Sequence, residues 1–227
     1  MNLMDKNHPL LYRIAFASIR SMGYDLAQKI LAIIPSEKDF FEIPEKELQS
    51  LLQTKVKMTE DSYRRDILNK ALLEIEFITK NDINVTYFTD ENYPTRLAHA
   101  QDAPIILYSK GKCNLNASKV ISIVGTRHAT AYGKHFCETF ISDLKELVED
   151  VVIVSGLAYG IDICAHRAAL ANNIPTTAVL AHGLNTIYPA THRKDAVEMI
   201  RNGGMVLTDY RSSDKIHPGN FVARNRI

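Results

Sequence analysis

Three times between Ile121 and Gly183 the chain runs a short, largely β-branched stretch into a glycine turn and on into helix-like sequence. The junctions are Ile121-Ser-Ile-Val-Gly125-Thr-Arg127, Val151-Val-Ile-Val-Ser155-Gly-Leu-Ala-Tyr-Gly160-Ile-Asp162 and Thr176-Thr-Ala-Val-Leu-Ala-His182-Gly183. Strands that alternate with helices pair in parallel through right-handed crossovers. The predicted fold class is therefore α/β, with a Rossmann-like parallel sheet. Such a sheet gathers its strand-to-helix turns along one edge, where open α/β folds take their ligands. Helices are expected near 131–148, 162–172 and 191–202, and a fourth strand at Met205–Thr208, behind Gly203-Gly204. The chain then ends at Ile227 without the further strands such a sheet normally adds, so the sheet is expected to be incomplete at its C-terminal side.

The first 80 residues follow a different rule. Leu10, Leu11, Ile14, Ala15 and Ile19 recur at helical spacing, Ser21-Met-Gly23-Tyr breaks that helix, and Leu26 to Ile34 makes a second. A third helix is expected after Ile43-Pro44-Glu45, where proline suits a first turn, and a fourth from Asp61 to Thr79. Two short strands, Asn84–Thr89 and Pro104–Ser109, flank a turn at Asp90–Pro94. The expected organisation is a helical domain over 1–80, a bridge over 81–115 and the Rossmann-like domain over 116–227.

Composition narrows the class further. With 46% hydrophobic and 23% charged residues the chain suits a soluble globular protein. No apolar run approaches the roughly 18 residues that span a bilayer, and Asp5, Lys6, His8 and Arg13 interrupt any signal-peptide pattern. Cys113, Cys137 and Cys164 form an odd set without metal-ligand spacing, which points to a reducing cytoplasm. No metal or cofactor is expected. The net charge of +1 makes the placement of cations more telling than their number.

Along the predicted edge, Gly125-Thr126-Arg127 lacks the further glycines of a dinucleotide fingerprint or a P-loop. A glycine turn beside a helix N-terminus still exposes backbone N–H groups that favour phosphate, and Arg127 can add a bidentate contact. The bland alternative is a tight turn with a solvated arginine. Ser155 and Gly156 offer a second phosphate or ribose contact, and Asp162 reads best as a helix cap. His166, one helical turn beyond Asp162, reads as a buried, hydrogen-bonded histidine rather than a metal ligand. His182 and Gly183 close the third turn, followed by Tyr188-Pro189 and the cations of His192-Arg193-Lys194. Tyr188 either stacks a base or anchors packing. In Arg224-Asn225-Arg226 the arginines suit backbone phosphates, and Asn225 a base edge or a backbone turn. Ser155 with His182 lacks the orienting third group of a catalytic triad.

Taken together, these segments resemble the DprA/Smf family of DNA-processing proteins. The resemblance rests on Ser18-Ile-Arg-Ser-Met-Gly23, which is similar to a helix-hairpin-helix-like turn, and on Tyr93-Pro94, Leu97 and Asp102–Gly111. It is most specific in Ile123–Arg127, Ser155–Asp162, Ala165-His166, Gly183, Tyr188-Pro189 and Phe221–Ile227. It implies a sterile-alpha-motif-like domain ahead of an extended Rossmann-like domain. It implies a non-enzymatic protein that binds and protects single-stranded DNA during natural transformation and helps load the RecA recombinase. It also implies a homodimer whose interface lies partly in a C-terminal region. The implied DNA contacts fall on Arg127, Ser155, Gly156, Arg224, Asn225 and Arg226, and with the residues read from the edge itself the candidate phosphate- and DNA-binding set adds Gly125, Thr126, His182, Gly183 and Arg193. Ala190 departs from the family, where a basic residue often follows the Tyr-Pro pair, as does Tyr159, where a cation is frequent.

Two rival readings stand beside it. One is a Rossmann-like nucleotide phosphoribohydrolase, for which Gly203-Gly204 is a partial motif without the preceding proline or a close glutamate. The other is a protein-interaction module working through the N-terminal helices.

Overall fold

The computed structural model describes residues 8–20 and 22–227. Ser21, part of the expected helix break, lies outside the described residues. Helix α1 (Leu11–Ala17) buries Leu11, Ile14 and Ala15, the residues whose spacing predicted it. Gly23 opens α2 (Tyr24–Leu31), which buries Ala27 and Ile30. A short helix that the spacing did not reveal, α3 (Glu37–Glu42), is capped by Ser36, whose Oγ accepts from the Asp39 N–H at 3.1 Å. Its two buried phenylalanines hold it in place, with the Phe40 ring edge-on to Phe16 at 5.2 Å. Helix α4 (Glu45–Leu51) follows Pro44, and the long α5 (Asp61–Asn81) closes this part.

Strands β1 (Asn84–Tyr87) and β2 (Ile106–Gly111) form an antiparallel pair that shares its core with the helices, because Tyr87, Ile106 and Tyr108 pack among Phe16, Phe40 and Ile78. The short helix α6 (Thr95–Ala98) lies between them. Then come β3 (Lys119–Ser122), α7 (Ala131–Leu147), β4 (Val151–Ser155), α8 (Ile161–Ala171), β5 (Thr176–Val179), α9 (Arg193–Arg201) and β6 (Met205–Thr208). A last helix, α10 (Pro218–Ala223), precedes the C-terminal Arg224–Arg226 turn.

All six strands form one sheet in the order β1-β2-β6-β5-β4-β3. The four strands β3 to β6 are parallel, as their alternation with helices requires, while β2 joins β6 antiparallel. The two strands expected in a bridge therefore extend the sheet itself. Their junction explains two glycines. Gly111 has φ +118, and a Cβ there would lie 2.2 Å from the Gly204 carbonyl oxygen, so β2 approaches the entry to β6 only because Gly111 lacks a side chain, while a Cβ at Gly204 would lie 2.3 Å from the Thr176 carbonyl oxygen at the start of β5. Strand β3 is shorter than expected. It ends at Ser122, although the Ile123 N–H still reaches the Val154 carbonyl at 2.9 Å, and Val124 is exposed.

Helix α8 packs through small residues, Ala165, Ala168 and Ala169, and carries His166 into the core. The ring is fully buried. Its Nδ1 donates to Thr176 Oγ1 at 2.7 Å, and that hydroxyl donates to the Ile153 carbonyl at 3.0 Å, while Nε2 has no hydrogen-bond partner among the described residues. Burial pushes the pKa of His166 from 6.5 down to about 3. The unfolded chain therefore takes up this proton first. The stability contributed by neutral His166 is complete above about pH 6.5 and declines as pH falls towards 3. We expect the folding free energy of the wild-type chain to fall, between about pH 6 and pH 4, by up to about 1.4 kcal/mol per unit more than that of His166→Gln. Urea titrations at each pH would measure it, and parallel profiles would refute it.

Candidate nucleic-acid interface

The C-terminal ends of β3, β4 and β5 converge with α10 on one edge. The first turn is locked onto the second. The Thr126 carbonyl accepts from the Ile161 N–H at 3.2 Å, and Thr126 Oγ1 accepts from the His128 N–H at 3.1 Å. Gly125 packs against the Ile161 side chain so closely that a Cβ would lie 2.6 Å from it. These contacts leave Arg127 exposed. Among the described residues its guanidinium forms no hydrogen bond or ion pair, and it lies over the Phe221 ring at 5.6 Å. Phe221 in turn meets Tyr188 at 5.8 Å and 65°, and Tyr188 is 51% exposed. Tyr159, 48% exposed, lies edge-on to His192 at 5.0 Å, with its hydroxyl 3.3 Å from Thr191 Oγ1. Arg127, Tyr159 and His192 thus line one open cleft, and the Phe221 ring links Arg127 to Tyr188.

Beneath them lies a buried layer. Ser155 Oγ donates to the Ile123 carbonyl at 2.7 Å, which ties the end of β4 to the end of β3. Arg224, only 8% exposed, donates through Nη1 to the Gly156 carbonyl at 2.9 Å and to the Val179 carbonyl, while its Nε donates to Asn225 Oδ1 at 3.2 Å. Burial lowers the Arg224 pKa, the nearby Asp162 opposes that, and Arg127 adds to it. Asp162 is not the helix cap that its position suggested. Gly160 occupies the cap of α8, and the Asp162 carboxylate, inside the first turn, accepts from the Ala158 N–H at 3.4 Å. Burial raises its pKa against the lowering effect of that N–H and of Arg224.

Several residues expected at the edge are engaged elsewhere. His182, 1% exposed, donates through Nδ1 to the Gly183 carbonyl at 2.9 Å and accepts the Tyr188 N–H on Nε2 at 3.2 Å. Both nitrogens are spent on shaping the third turn, so His182 offers a phosphate no donor. The same holds for a Ser155–His182 nucleophile pair, since each side chain already has other partners. His192 is buried and donates through Nδ1 to the Leu157 carbonyl at 2.8 Å, whereas Arg193 and Lys194 are exposed at the start of α9. Arg226 points away from Arg224, donating to the Asp102 carbonyl at 2.6 Å and pairing with Asp209. Asn225 is exposed. Gly183 is buried against the Arg211 carbonyl. Gly203-Gly204 lies at the N-terminal end of β6, remote from this edge, which removes the partial phosphoribohydrolase motif from the cleft.

The structure therefore brings together Gly125, Thr126, Arg127, Ser155, Gly156 and Arg224, and divides them by exposure. Two contributors carried no role in the sequence reading. Phe221 supplies the face under Arg127, and Asn220 donates from one amide nitrogen to the Ala181 and Lys215 carbonyls, each at 3.2 Å. Their position just ahead of the basic triplet was the available signal.

A mostly parallel α/β sheet whose strand-end edge presents a cation, glycine turns and aromatic rings places the protein in the Rossmann-like class. The family described as DNA recombination-mediator protein A matches residues 84–227, and the chain belongs to it. The chain is 38% identical over 138 residues to the DNA processing protein DprA of Streptococcus pneumoniae, covering 61% of this chain and 48% of that one. It is 37% identical over 141 residues to Protein Smf of Escherichia coli, covering 60% and 36%. It thus spans half or less of the length of these relatives. Among solved structures, DprA from S. pneumoniae superposes with a TM-score of 0.59 at 27% identity, over 82% of this chain and 68% of that one. DNA processing protein A from Helicobacter pylori, whose structure is described for its single-stranded DNA binding mode, superposes at 0.54 with 31% identity, over 63% and 62%. Among the described residues no helix is long and apolar enough to cross a membrane, and no group of three or more His, Cys, Asp or Glu could hold a metal ion.

Proposed function

We propose that the strand-end edge binds single-stranded DNA without regard to sequence, and that the protein protects such strands and helps load a RecA-type recombinase on them during natural transformation. The observation that carries this reading is Arg127, an exposed guanidinium that among the described residues forms no hydrogen bond or ion pair and lies over the Phe221 ring at 5.6 Å, with the exposed ring of Tyr188 against the same phenylalanine. Arg127, with Arg193 exposed at the start of α9, neutralises phosphates. Tyr188 and Tyr159 offer ring faces that stacked, unpaired bases can use and paired bases cannot. Phosphate contacts carry no base information, so sequence preference is weak. The homodimer and the cytoplasmic location belong to the same reading, as does the absence of a catalytic role.

The test is binding of fluorescent oligo-dT across a salt series, with Arg127→Ala in parallel. Affinity of the wild-type chain is expected to fall steeply with salt. Arg127→Ala is expected to bind about tenfold more weakly, with a salt slope smaller by about one and an unchanged melting temperature. A flat salt dependence in the wild-type chain would sink the proposal. Recombinase loading is tested separately, by the rate at which RecA filaments form on strands pre-covered with the single-strand-binding protein, with and without this chain.

A further inference from the structure

Helix α5 buries one carboxylate. Its inward face reads Ile67, Ala71, Glu74, Ile75, Ile78, and Glu74 is only 4% exposed. Among the described residues its carboxylate meets neither lysine nor arginine in an ion pair. It accepts instead from a residue 138 positions away, taking the Ser212 N–H on Oε1 at 2.9 Å and the Ser212 hydroxyl on Oε2 at 2.6 Å. A buried carboxylate is costly unless hydrogen-bonded, and here both oxygens are occupied by one residue of one loop.

That loop, residues 209–217, leads from β6 to α10. It is cross-braced internally. The Arg211 N–H donates to Asp214 Oδ2 at 2.8 Å, and the Arg211 guanidinium pairs with Asp214 at 2.7 Å. Its outer surface supports the strand-end edge at two points. The Arg211 carbonyl lies against Gly183, where a Cβ would come within 2.2 Å of its oxygen. The Lys215 carbonyl accepts from Asn220, which also holds the Ala181 carbonyl just past the end of β5. The next residue, Phe221, lies under Arg127, and three residues on Arg224 brackets β4 and β5. Leu184, just past the third turn, packs against both the helical core and the core around α9.

We propose that Glu74 is a positioning residue for the nucleic-acid edge. The N-terminal helical domain contributes to binding by clamping the 209–217 loop, and through it α10, against the strand ends. This inference rests on the strand-end edge being the DNA site. It gives the helical domain a part in binding that needs no contact with the nucleic acid.

The test compares Glu74→Ala, Glu74→Gln and Leu72→Ala in the full chain. Leu72 is buried in the helical core on the same helix and takes no part in the hydrogen bonds that hold the loop, so it reports general loosening of that core. Hydrogen exchange over 209–223, melting temperature and oligo-dT affinity are measured for each. In Glu74→Ala, exchange over 209–223 is expected to quicken at least about tenfold and affinity to fall about tenfold, the scale of a lost charge-assisted hydrogen bond. Glu74→Gln keeps an acceptor for the Ser212 N–H and is expected to stay within about threefold of the wild-type chain. Leu72→Ala is expected to lower the melting temperature while leaving 209–223 protected and binding intact. Wild-type exchange and affinity in Glu74→Ala, or an equal loss of affinity in Leu72→Ala, would overturn the proposal. If Glu74→Ala does not fold, Ser212→Ala replaces it, with a smaller loss in the same direction expected and none overturning the idea. If the wild-type chain itself fails to bind oligo-dT, the functional reading falls, while exchange over 209–223 still decides whether Glu74 is the clamp.

Discussion

Arg224→Ala is expected to destabilise the protein before any DNA is added. The guanidinium is buried and its Nη1 donates to two carbonyls at the ends of adjacent strands, Gly156 on β4 and Val179 on β5. Removing it leaves both carbonyls without this donor and the Asp162 carboxylate without its nearby cation. Hydrogen bonds to a charged donor contribute roughly 1.5–3 kcal/mol each, so a loss of about 3 kcal/mol is expected, even after water enters the space. For a chain of this size that corresponds to a melting temperature lower by roughly 6–12 °C. Binding of oligo-dT should be lost as well, because α10 would no longer be held to the second turn. Lysine should restore little, since a single ammonium cannot reproduce the fork that reaches the two carbonyls and Asn225. The contrast with Arg127→Ala is the decisive part. Both arginines sit at one edge, yet removal of the exposed one should weaken binding with no change in melting. An Arg224→Ala chain that melts like the wild type and only binds less tightly would make Arg224 a direct phosphate ligand and refute the bracket.

The same contrast shows what could be read from the sequence. Strand, glycine turn and helix are local patterns, so the parallel strands β3 to β6 and the helices between them were legible. The pairing of β2 with β6 was not, because it depends on Gly111 and Gly204 meeting across 93 residues of chain, and neither glycine announces its partner. Cations at strand ends were legible as charges but not as roles. Whether Arg224, Arg226 or His182 meets solvent depends on which carbonyls and carboxylates the fold brings within reach, and the fold absorbs all three while leaving Arg127 outside. Asp162 illustrates a finer limit. It is at the right place for a cap, but Gly160 takes the cap and turns the carboxylate inward to the Ala158 N–H. Glu74 was in principle detectable, since a lone acid in phase with Ile67, Ala71 and Ile78 must be buried with a partner. The sequence does not say that the partner is Ser212.

The second large effect is expected at Gly160. This residue has φ +81, and a Cβ there would lie 2.0 Å from the Thr126 carbonyl oxygen and 2.7 Å from the Arg127 carbonyl carbon. Both neighbours are backbone, so no side chain can swing aside. In Gly160→Ala either the start of α8 or the Thr126–Arg127 turn has to move, and the Ile161 N–H bond to the Thr126 carbonyl at 3.2 Å goes with it. A left-handed α conformation costs a side-chain-bearing residue roughly 1–2 kcal/mol, and Gly160, with ψ −120, lies outside even that region. Gly203 measures the cost of a positive φ without a clash. It has φ +80, and a Cβ would meet nothing within 4 Å. Gly203→Ala is therefore expected to lose about 1 kcal/mol and to bind oligo-dT normally. Gly160→Ala should lose at least about twice as much stability. It should also bind more weakly than Arg127→Ala, because it displaces the whole first turn instead of deleting one side chain. Melting curves and salt titrations on the two alanine variants would measure both differences. Equal behaviour of the two would mean that the contact between the first and second turns is not what sets the position of Arg127.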